Sequence, residues 1–276
     1  MVKREKINGK TYCFYEDSSK DDFMKTNLPR PEVPLNYKYI RNNPINVFFS
    51  NILYYLIAKP ILGLYCILRG VKVKNRKNLK EVRKKGCFIY ANHTSIFDMF
   101  DIQSLVIRGK RTYLIGYSDM TSVPIAVNIC NALGYLPLPL NDFRCARKFL
   151  DSLNYYVNKK HQNVLIYPEA HVWPFYTKIR DFPSASFHYP AKLNAPVIPI
   201  VTTYRKVLFF KKPRLTINVG RVIYPKEGAT IKENRDYLYN ECYKQMVNIS
   251  SSVKQPNYFK YVKTLKENWY NIFMPN

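Results

Sequence analysis

Short apolar runs alternate with segments of helical character over most of the chain after Gly70. The runs predict strands at 87–91, 113–117, 134–138, 164–167, 197–202 and 215–223. The segments between them predict helices near 97–108, 121–132, 143–160 and 184–193. Strands that alternate with helices are typical of an α/β fold, so we expect a mostly parallel central sheet flanked by helices.

The most apolar stretch runs from Ile45 to Leu68 and is divided by Lys59-Pro60. Its total length approaches the roughly 20 residues that span a bilayer, but each half is too short to do so. We therefore predict an N-terminal apolar two-helix segment that associates with the membrane interface. The main alternative is a core helix pair of a soluble protein. The basic residues that follow would contact anionic headgroups: Arg69, Lys72, Lys74, Arg76, Lys77 and Lys80.

The composition shifts along the chain divide it into four regions. Residues 1–43 are polar and contain several prolines, which predicts a poorly ordered extension. Residues 44–69 are the apolar helical hairpin, and residues 70–230 are the α/β domain. Residues 231–276 form a helical tail, with one helix over 232–253. The stretch 257–274 carries aromatic residues among lysines and is either an amphipathic surface anchor or a helix packed on the sheet.

The chain is strongly basic, with a formal net charge of +25 and a pI near 9.7. This charge indicates an anionic partner, which is nucleic acid, anionic lipid or an acidic carrier. The sequence contains no zinc-finger, helix-turn-helix or aromatic RNA-binding motif, and the charge is spread along the chain instead of clustered. We therefore expect an anionic membrane surface as the partner, and no nucleic acid.

The spacing of the cysteines indicates whether the chain binds a metal and in which redox compartment it lies. The six cysteines form no Cys-x-x-Cys pair and no metal-ligand spacing with the four histidines, so we expect no metal and no cofactor. The first residues are charged and no apolar core follows them, unlike a secretory signal. Both observations favour a reducing, intracellular setting.

The candidate chemistry begins at Asn92-His93-Thr94-Ser95-Ile96-Phe97-Asp98, directly after the predicted strand 87–91. In a regular helix, residues five positions apart point about 140° away from each other. His93 and Asp98 can therefore meet only if the chain turns from strand into helix between them. Asp98 would then fix the tautomer of His93 and stabilise its imidazolium. Taken alone, the pair could equally be a surface histidine and a helix-cap carboxylate.

A second polar group follows another predicted strand. Tyr167-Pro168-Glu169 comes directly after 164–167, just as His93 follows 87–91. In a parallel sheet the carboxyl ends of the strands meet at one edge, so both groups can face the same crevice.

The Asn92-His93-x4-Asp98 block resembles the Asn-His-x4-Asp motif of the glycerolipid acyltransferase family, which includes 1-acylglycerol-3-phosphate acyltransferase. The segment 164–172 is similar to that family's aromatic-Pro-Glu-Gly-Thr-Arg block, and Ala195-Pro196-Val197-Ile198-Pro199 to its Val-Pro-Val-Ile-Pro block. The resemblance covers residues 70 to 225. It implies that His93 and Asp98 are catalytic, and that Asn92, Ser95 and Glu169 help to bind substrate.

Two arginines of the family pattern are missing from this sequence. The arginine of the glutamate block is replaced by Val172, and an arginine six residues after Gly134 is replaced by Leu140. In the family both arginines serve the phosphate of the acceptor. We expect Lys178 or Arg180 to replace the first, and Arg144, one turn beyond Leu140, to replace the second.

The resemblance implies transfer of a fatty acyl group from acyl-CoA or acyl-carrier protein to a lysophospholipid hydroxyl. The expected acceptor is 1-acylglycerol-3-phosphate, at the cytoplasmic face of the membrane, in phospholipid synthesis. His93 would be the general base, and no cysteine is needed as a nucleophile. Two alternatives stay open: an acceptor without phosphate, or a basic lipid- or nucleic-acid-binding protein without catalysis. A third alternative is hydrolysis of the thioester by water.

Overall fold

The computed structural model describes residues 2–24, 27–140, 142–208 and 210–264. Ten strands form two sheets in this part of the chain. The small sheet has the order β1-β2-β10 and the large sheet the order β3-β9-β8-β4-β7-β5-β6. The strands are β1 (Lys3–Ile7), β2 (Lys10–Tyr15), β3 (Lys72–Lys74), β4 (Cys87–Ala91), β5 (Thr112–Gly116), β6 (Tyr135–Pro137), β7 (Asn163–Ile166), β8 (Val197–Arg205), β9 (Arg214–Val219) and β10 (Phe259–Lys263).

The large sheet is mostly parallel, which confirms the predicted fold class. Strands β4 to β8 all run in one direction, whereas β9 is antiparallel to β8 and β3 is parallel to β9. All six predicted strands are present. Strand β3 and the whole of the small sheet were not predicted.

The centre of the sheet is covered on both faces. Every residue of β4 and of β7 is buried. Phe88 and Tyr90 point into the core on one side of the sheet, while Cys87 and Ile89 point into the core on the other. A strand buried on both faces has no polar alternation, which explains why β4 appears in the sequence as one apolar run.

Within the described ranges, six α-helices accompany the sheets. They are α1 (Pro44–Leu68), α2 (Asp98–Asp101), α3 (Pro124–Leu133), α4 (Phe143–Asn154), α5 (His188–Lys192) and α6 (Ile231–Ser251). Helix α2 continues with π-type hydrogen bonds over Ile102–Val106, and α4 does so over Tyr155–Lys159. Short 3₁₀ turns lie at Arg76–Lys80, Ser118–Ser122 and Ser184–Phe187.

Helix α1 is continuous, so the predicted break at Lys59-Pro60 is wrong. The seven residues before Lys59 form a π-helical turn, in which the N–H of Lys59 donates to the carbonyl of Tyr54. This wider turn lets the helix continue past a proline that has no N–H to donate. The Nζ of Lys59 donates to the carbonyl of Ile107 at 2.7 Å, so its ammonium group has a hydrogen-bond acceptor within the protein.

By length and composition, the 25 residues of α1 would suffice to cross a membrane. Only 17% of its most apolar window is buried. Its large exposed apolar side chains are Ile45, Phe48, Phe49, Leu56, Ile57, Ile61, Leu64, Ile67 and Leu68. The helix therefore presents an apolar surface instead of filling the core.

The described residues among the first 43 form strands and contacts with the domain, contrary to the prediction of a poorly ordered extension. Strands β1 and β2 form a hairpin through Asn8 and Gly9, which both have positive φ. Asn-Gly between two strand-like runs is a strong hairpin signal that the composition of the segment obscured. Farther along the segment, Val33 and Tyr39 are buried in the main core and attach it to the domain, while most residues around them are exposed.

The C-terminal region agrees with the prediction in part. The helix predicted over 232–253 is α6, and a Thr230–Glu233 capping box begins it. Within the stretch 257–274, however, residues 259–263 form β10, which pairs with β2. Residues 265–276, and with them most of the proposed anchor or packed helix, lie outside the described residues.

Candidate active site

The candidate site lies where three neighbouring strands end. Strand β4 is paired with β7 on one side and with β8 on the other. His93 follows β4 by two residues, and Glu169 follows β7 by three. The carboxyl edge of the parallel sheet thus brings together two groups that are 76 residues apart in sequence.

The chain turns between His93 and Asp98, so that their side chains meet. Nδ1 of His93 lies 3.4 Å from Oδ2 of Asp98, whose carboxyl group is fully buried. Asp98 is the first residue of α2, and its Oδ2 also accepts the backbone N–H groups of Thr94 at 2.6 Å and Ser95 at 2.8 Å. The carboxylate therefore stabilises the turn and faces the imidazole. If Nδ1 carries the proton, Nε2 is left as a base.

The imidazole is held in place by its neighbours. Its ring stacks on that of Tyr167, with centroids 4.1 Å apart and an interplanar angle of 17°. The backbone N–H of His93 donates to Oε2 of Glu169 at 3.3 Å, and its carbonyl accepts the N–H of Trp173 at 3.0 Å. The side chain is 14% exposed, which leaves an edge of the ring within reach of a substrate.

Glu169 and Arg180 form a buried ion pair, so they are not free to bind a substrate as predicted. Nη2 of Arg180 lies 3.1 Å from Oε2 of Glu169, and each side chain is 1% exposed. Arg180 also donates to the carbonyls of Ser18 and His171. Burial raises the pKa of Glu169, while Arg180 opposes that rise. The pair supports the loop that holds the backbone of His93.

Asn92 likewise connects strands, contrary to its expected role in substrate binding. Its side-chain amide donates to the carbonyl of Thr202 at 3.0 Å and accepts the N–H of Thr202 at 2.8 Å. Asn92 is buried and joins the end of β4 to β8. Ser95 remains partly exposed in the turn, where its Oγ accepts the N–H of Phe97 at 3.1 Å.

Two of the three residues predicted to replace the missing arginines lie at the surface. Arg144 has 72% of its side chain exposed and pairs with Asp142, the cap of α4, at 3.3 Å. Lys178 is also exposed. Among the described residues, neither side chain makes an ion pair or hydrogen bond with His93 or its turn.

A second buried carboxylate, which was not predicted, lies one helical turn beyond Asp98. Asp101, one helical turn after Asp98, is buried, and Nη1 of Arg69 lies 3.2 Å from its Oδ1. Burial raises the pKa of Asp101 to about 6, against the opposing effects of Cys66 and Arg69. The i, i+3 spacing from Asp98 was the available signal, because residues at that spacing share a helix face.

Two further observations concern ligands. The described residues contain no group of three or more His, Cys, Asp or Glu side chains that could hold a metal ion. A cavity of about 1050 Å³ lies at the opposite edge of the sheet, where Arg111 and Gln162 precede β5 and β7. That cavity is therefore separate from His93.

Residues 70–203 match the family model described as Acyltransferase. This domain belongs to the acyltransferase family. The matched segment runs from the end of α1 into β8 and includes His93, Asp98 and Glu169. The expected membership of this family, and with it an acyltransferase enzyme, is confirmed.

A similar solved structure is the crystal structure of the 1-acyl-sn-glycerophosphate (LPA) acyltransferase PlsC from Thermotoga maritima. The two chains are 18% identical, and the comparison covers 72% of this chain and 86% of the other at a TM-score of 0.47. No curated protein sequence matches this chain.

Proposed function

We propose that this acyltransferase moves a fatty acyl group from a thioester to a hydroxyl of a lysophospholipid, with His93 as general base. The observation that carries the proposal is the 3.4 Å approach of His93 to Asp98 within the acyltransferase domain. An alcohol is a poor nucleophile at neutral pH, so a base in hydrogen-bond reach must take its proton during attack.

The chemistry needs only an alcohol, a thioester and the base. Nε2 of His93 takes the proton of the hydroxyl as its oxygen attacks the thioester carbonyl carbon. The C–S bond of the tetrahedral intermediate then breaks, and the thiolate takes the proton back from the imidazolium. Asp98 favours the imidazolium between these two steps, because its buried carboxylate faces Nδ1. No acyl-enzyme is formed.

Charge and surface support a choice of acceptor and donor. We propose 1-acylglycerol-3-phosphate as the acceptor, with acyl-CoA or acyl-carrier protein as the donor, since all three are anionic and the chain has a net charge of +25. The exposed apolar side of α1 supports a position on the membrane, and we place the protein on its cytoplasmic face.

The test is thioester consumption by purified protein with lipid vesicles. We compare wild type, His93→Ala and the control His188→Ala, which alters an exposed histidine in α5. The acceptors are lysophosphatidate, other lysolipids, monoacylglycerol and none. Turnover that requires an acceptor, is lost in His93→Ala and is kept in His188→Ala supports the proposal.

Each other outcome contradicts one part of it. His93→Ala activity within a few-fold of wild type would show that His93 is not the base. A preference for monoacylglycerol would show that the acceptor carries no phosphate. Thioester consumption that needs no acceptor would identify a hydrolase.

A further inference from the structure

Two arginines face each other at the end of the large sheet. Arg205 is the last residue of β8, Arg214 is the first of β9, and they are direct cross-strand partners. Like charges directly opposite each other destabilise an antiparallel pair. Burial and the charge of Arg214 lower the pKa of Arg205, as expected for a cation without a counter-charge.

Both guanidinium groups are joined to the end of the apolar helix. Nη2 of Arg205 donates to the carbonyl of Gly70 at 2.5 Å, and Nη1 of Arg214 donates to the carbonyl of Arg69 at 2.9 Å. These carbonyls follow directly after Leu68, the last residue of α1. The two arginines therefore lie where the apolar surface of α1 ends.

Among the residues that the structure describes, no carboxylate neutralises the arginine pair. Residues 182–226 contain eight lysines and arginines and not a single Asp or Glu. Within the described part of the chain, neither Arg205 nor Arg214 forms a salt bridge with a carboxylate. The Nε and Nη1 atoms of Arg205 are shielded from solvent and have no hydrogen-bond partner there. Buried N–H donors of a charged group are costly when unpaired, so the positive charge of this pair is poorly compensated within the protein and favours an anion beside it.

The loop between the arginines combines basic and apolar side chains. Leu208 is 74% exposed and Phe210 is 51% exposed, and the guanidinium of Arg214 lies 3.8 Å from the centre of the Phe210 ring. The exposed lysines of the same loop are Lys206, Lys211 and Lys212. Exposed apolar residues surrounded by cations are typical of a surface that lies at the level of lipid headgroups.

We propose that Arg205 and Arg214 bind the phosphate of an anionic bilayer lipid at the end of α1. Arginine suits this ligand, because its planar group donates two parallel hydrogen bonds to phosphate oxygens. Leu208, Phe210 and the last turns of α1 enter the acyl region beside that lipid. The inference rests on the proposed membrane association of α1, and it sets the depth at which the His93 edge of the sheet meets the bilayer.

The test is binding to vesicles of phosphatidylcholine alone and of phosphatidylcholine with phosphatidate or phosphatidylglycerol. The double variant Arg205→Gln/Arg214→Gln is compared with Arg83→Gln/Arg147→Gln, which removes the same charge from two exposed positions elsewhere. Each basic group near an anionic surface contributes about 1 kcal/mol, so we expect the first variant to lose about thirtyfold in partitioning to anionic vesicles. The control variant Arg83→Gln/Arg147→Gln should lose much less of this partitioning. Arg205→Lys/Arg214→Lys should recover only part of the lost partitioning. Thermal unfolding checks that each variant is folded.

The other outcomes overturn the inference. Equal losses in both double variants would mean that binding depends on net charge alone. Unchanged vesicle binding with a raised KM for a soluble short-chain lysophosphatidate would make the pair an acceptor site instead. If wild type binds no vesicles of any composition, the membrane association in the proposed function fails as well, and this result is distinct from the first two.

Discussion

The buried carboxylate of Asp98 lies 3.4 Å from Nδ1 of His93. Replacement of Asp98 by Asn keeps the size of the side chain but removes the charge that favours a protonated imidazole. We expect Asp98→Asn to lower kcat by about a hundredfold or more with little change in KM, since general-base catalysis contributes at least that much. Steady-state kinetics measure the effect. A kcat within threefold of wild type, in a folded variant, would mean that Asp98 only stabilises the turn.

Removal of one partner of the Glu169–Arg180 pair should destabilise the protein strongly. Glu169→Gln leaves the guanidinium of Arg180 buried without its counter-charge, which costs about 3 kcal/mol in the free energy of unfolding. Chemical denaturation measures this loss. The double variant Glu169→Gln/Arg180→Met should lose less than the two single variants added together, because it buries no unpaired charge.

A matched control for this ion pair lies at the surface. Asp142→Asn breaks the exposed pair with Arg144 and keeps a side chain that can cap α4. We expect its stability to stay close to that of wild type. A loss as large as that of Glu169→Gln would show that burial is not the reason for the effect.

Asn92 should contribute to the stability of the fold and not to substrate affinity. Asn92→Ala removes both hydrogen bonds to the backbone of Thr202, which leaves a buried N–H and a buried carbonyl unpaired and costs about 2 to 3 kcal/mol. Asn248→Ala, at an exposed position of α6, is the control. Denaturation and KM are measured together. A raised KM without a loss of stability would restore the expected role in substrate binding.

Asp101 should make stability depend on pH. Burial raises the pKa of Asp101 to about 6, whereas an unfolded chain has its ordinary value near 3.8. Between about pH 4 and 6 the folded protein therefore holds a proton that the unfolded chain releases, so stability from this group falls as the pH rises. The fall is of the order of 3 kcal/mol and is complete above pH 6.

Asp101→Asn should remove that contribution. The difference in free energy of unfolding between Asp101→Asn and wild type is measured at pH 4 and at pH 7. We expect the free energy of unfolding of the variant, relative to that of wild type, to be higher at pH 7 than at pH 4. A difference that does not change with pH would mean that the carboxyl group titrates near its ordinary value.

The sequence predicted the sheet well because its central strands are buried on both faces. The run Cys87–Ala91 has no polar residue, and its observed bounds equal the predicted ones. Strand β3 has only three residues, with a single partly buried valine between two exposed lysines, so its pattern was too short to detect. The continuity of α1 depends on a π-type turn, which shifts hydrogen bonds without leaving a mark in the apolar pattern.

The candidate site was predicted in part. The turn that joins His93 to Asp98 follows from their spacing, since a helix would separate them. By contrast, the pairing of Glu169 with Arg180 depends on burial and on the path of the loop between them. Sequence identifies both charges but not that they face each other. For that reason a buried ion pair was mistaken for two groups that bind substrate.

The pairing of β2 with β10 has a consequence for biosynthesis. Tyr15 and Lys263 are neighbours across this pair, so the small sheet cannot close until residue 263 has left the ribosome. The early segment also accepts hydrogen bonds from the loop beside the site: Trp173 donates to the carbonyl of Asp21, and Arg180 to that of Ser18. Strand β10 contacts the same loop, because the hydroxyl of Tyr261 donates to the carbonyl of Pro174 at 2.7 Å. The α/β domain can thus begin to assemble during translation, whereas the loop that supports His93 gains this contact only after residue 261 has emerged.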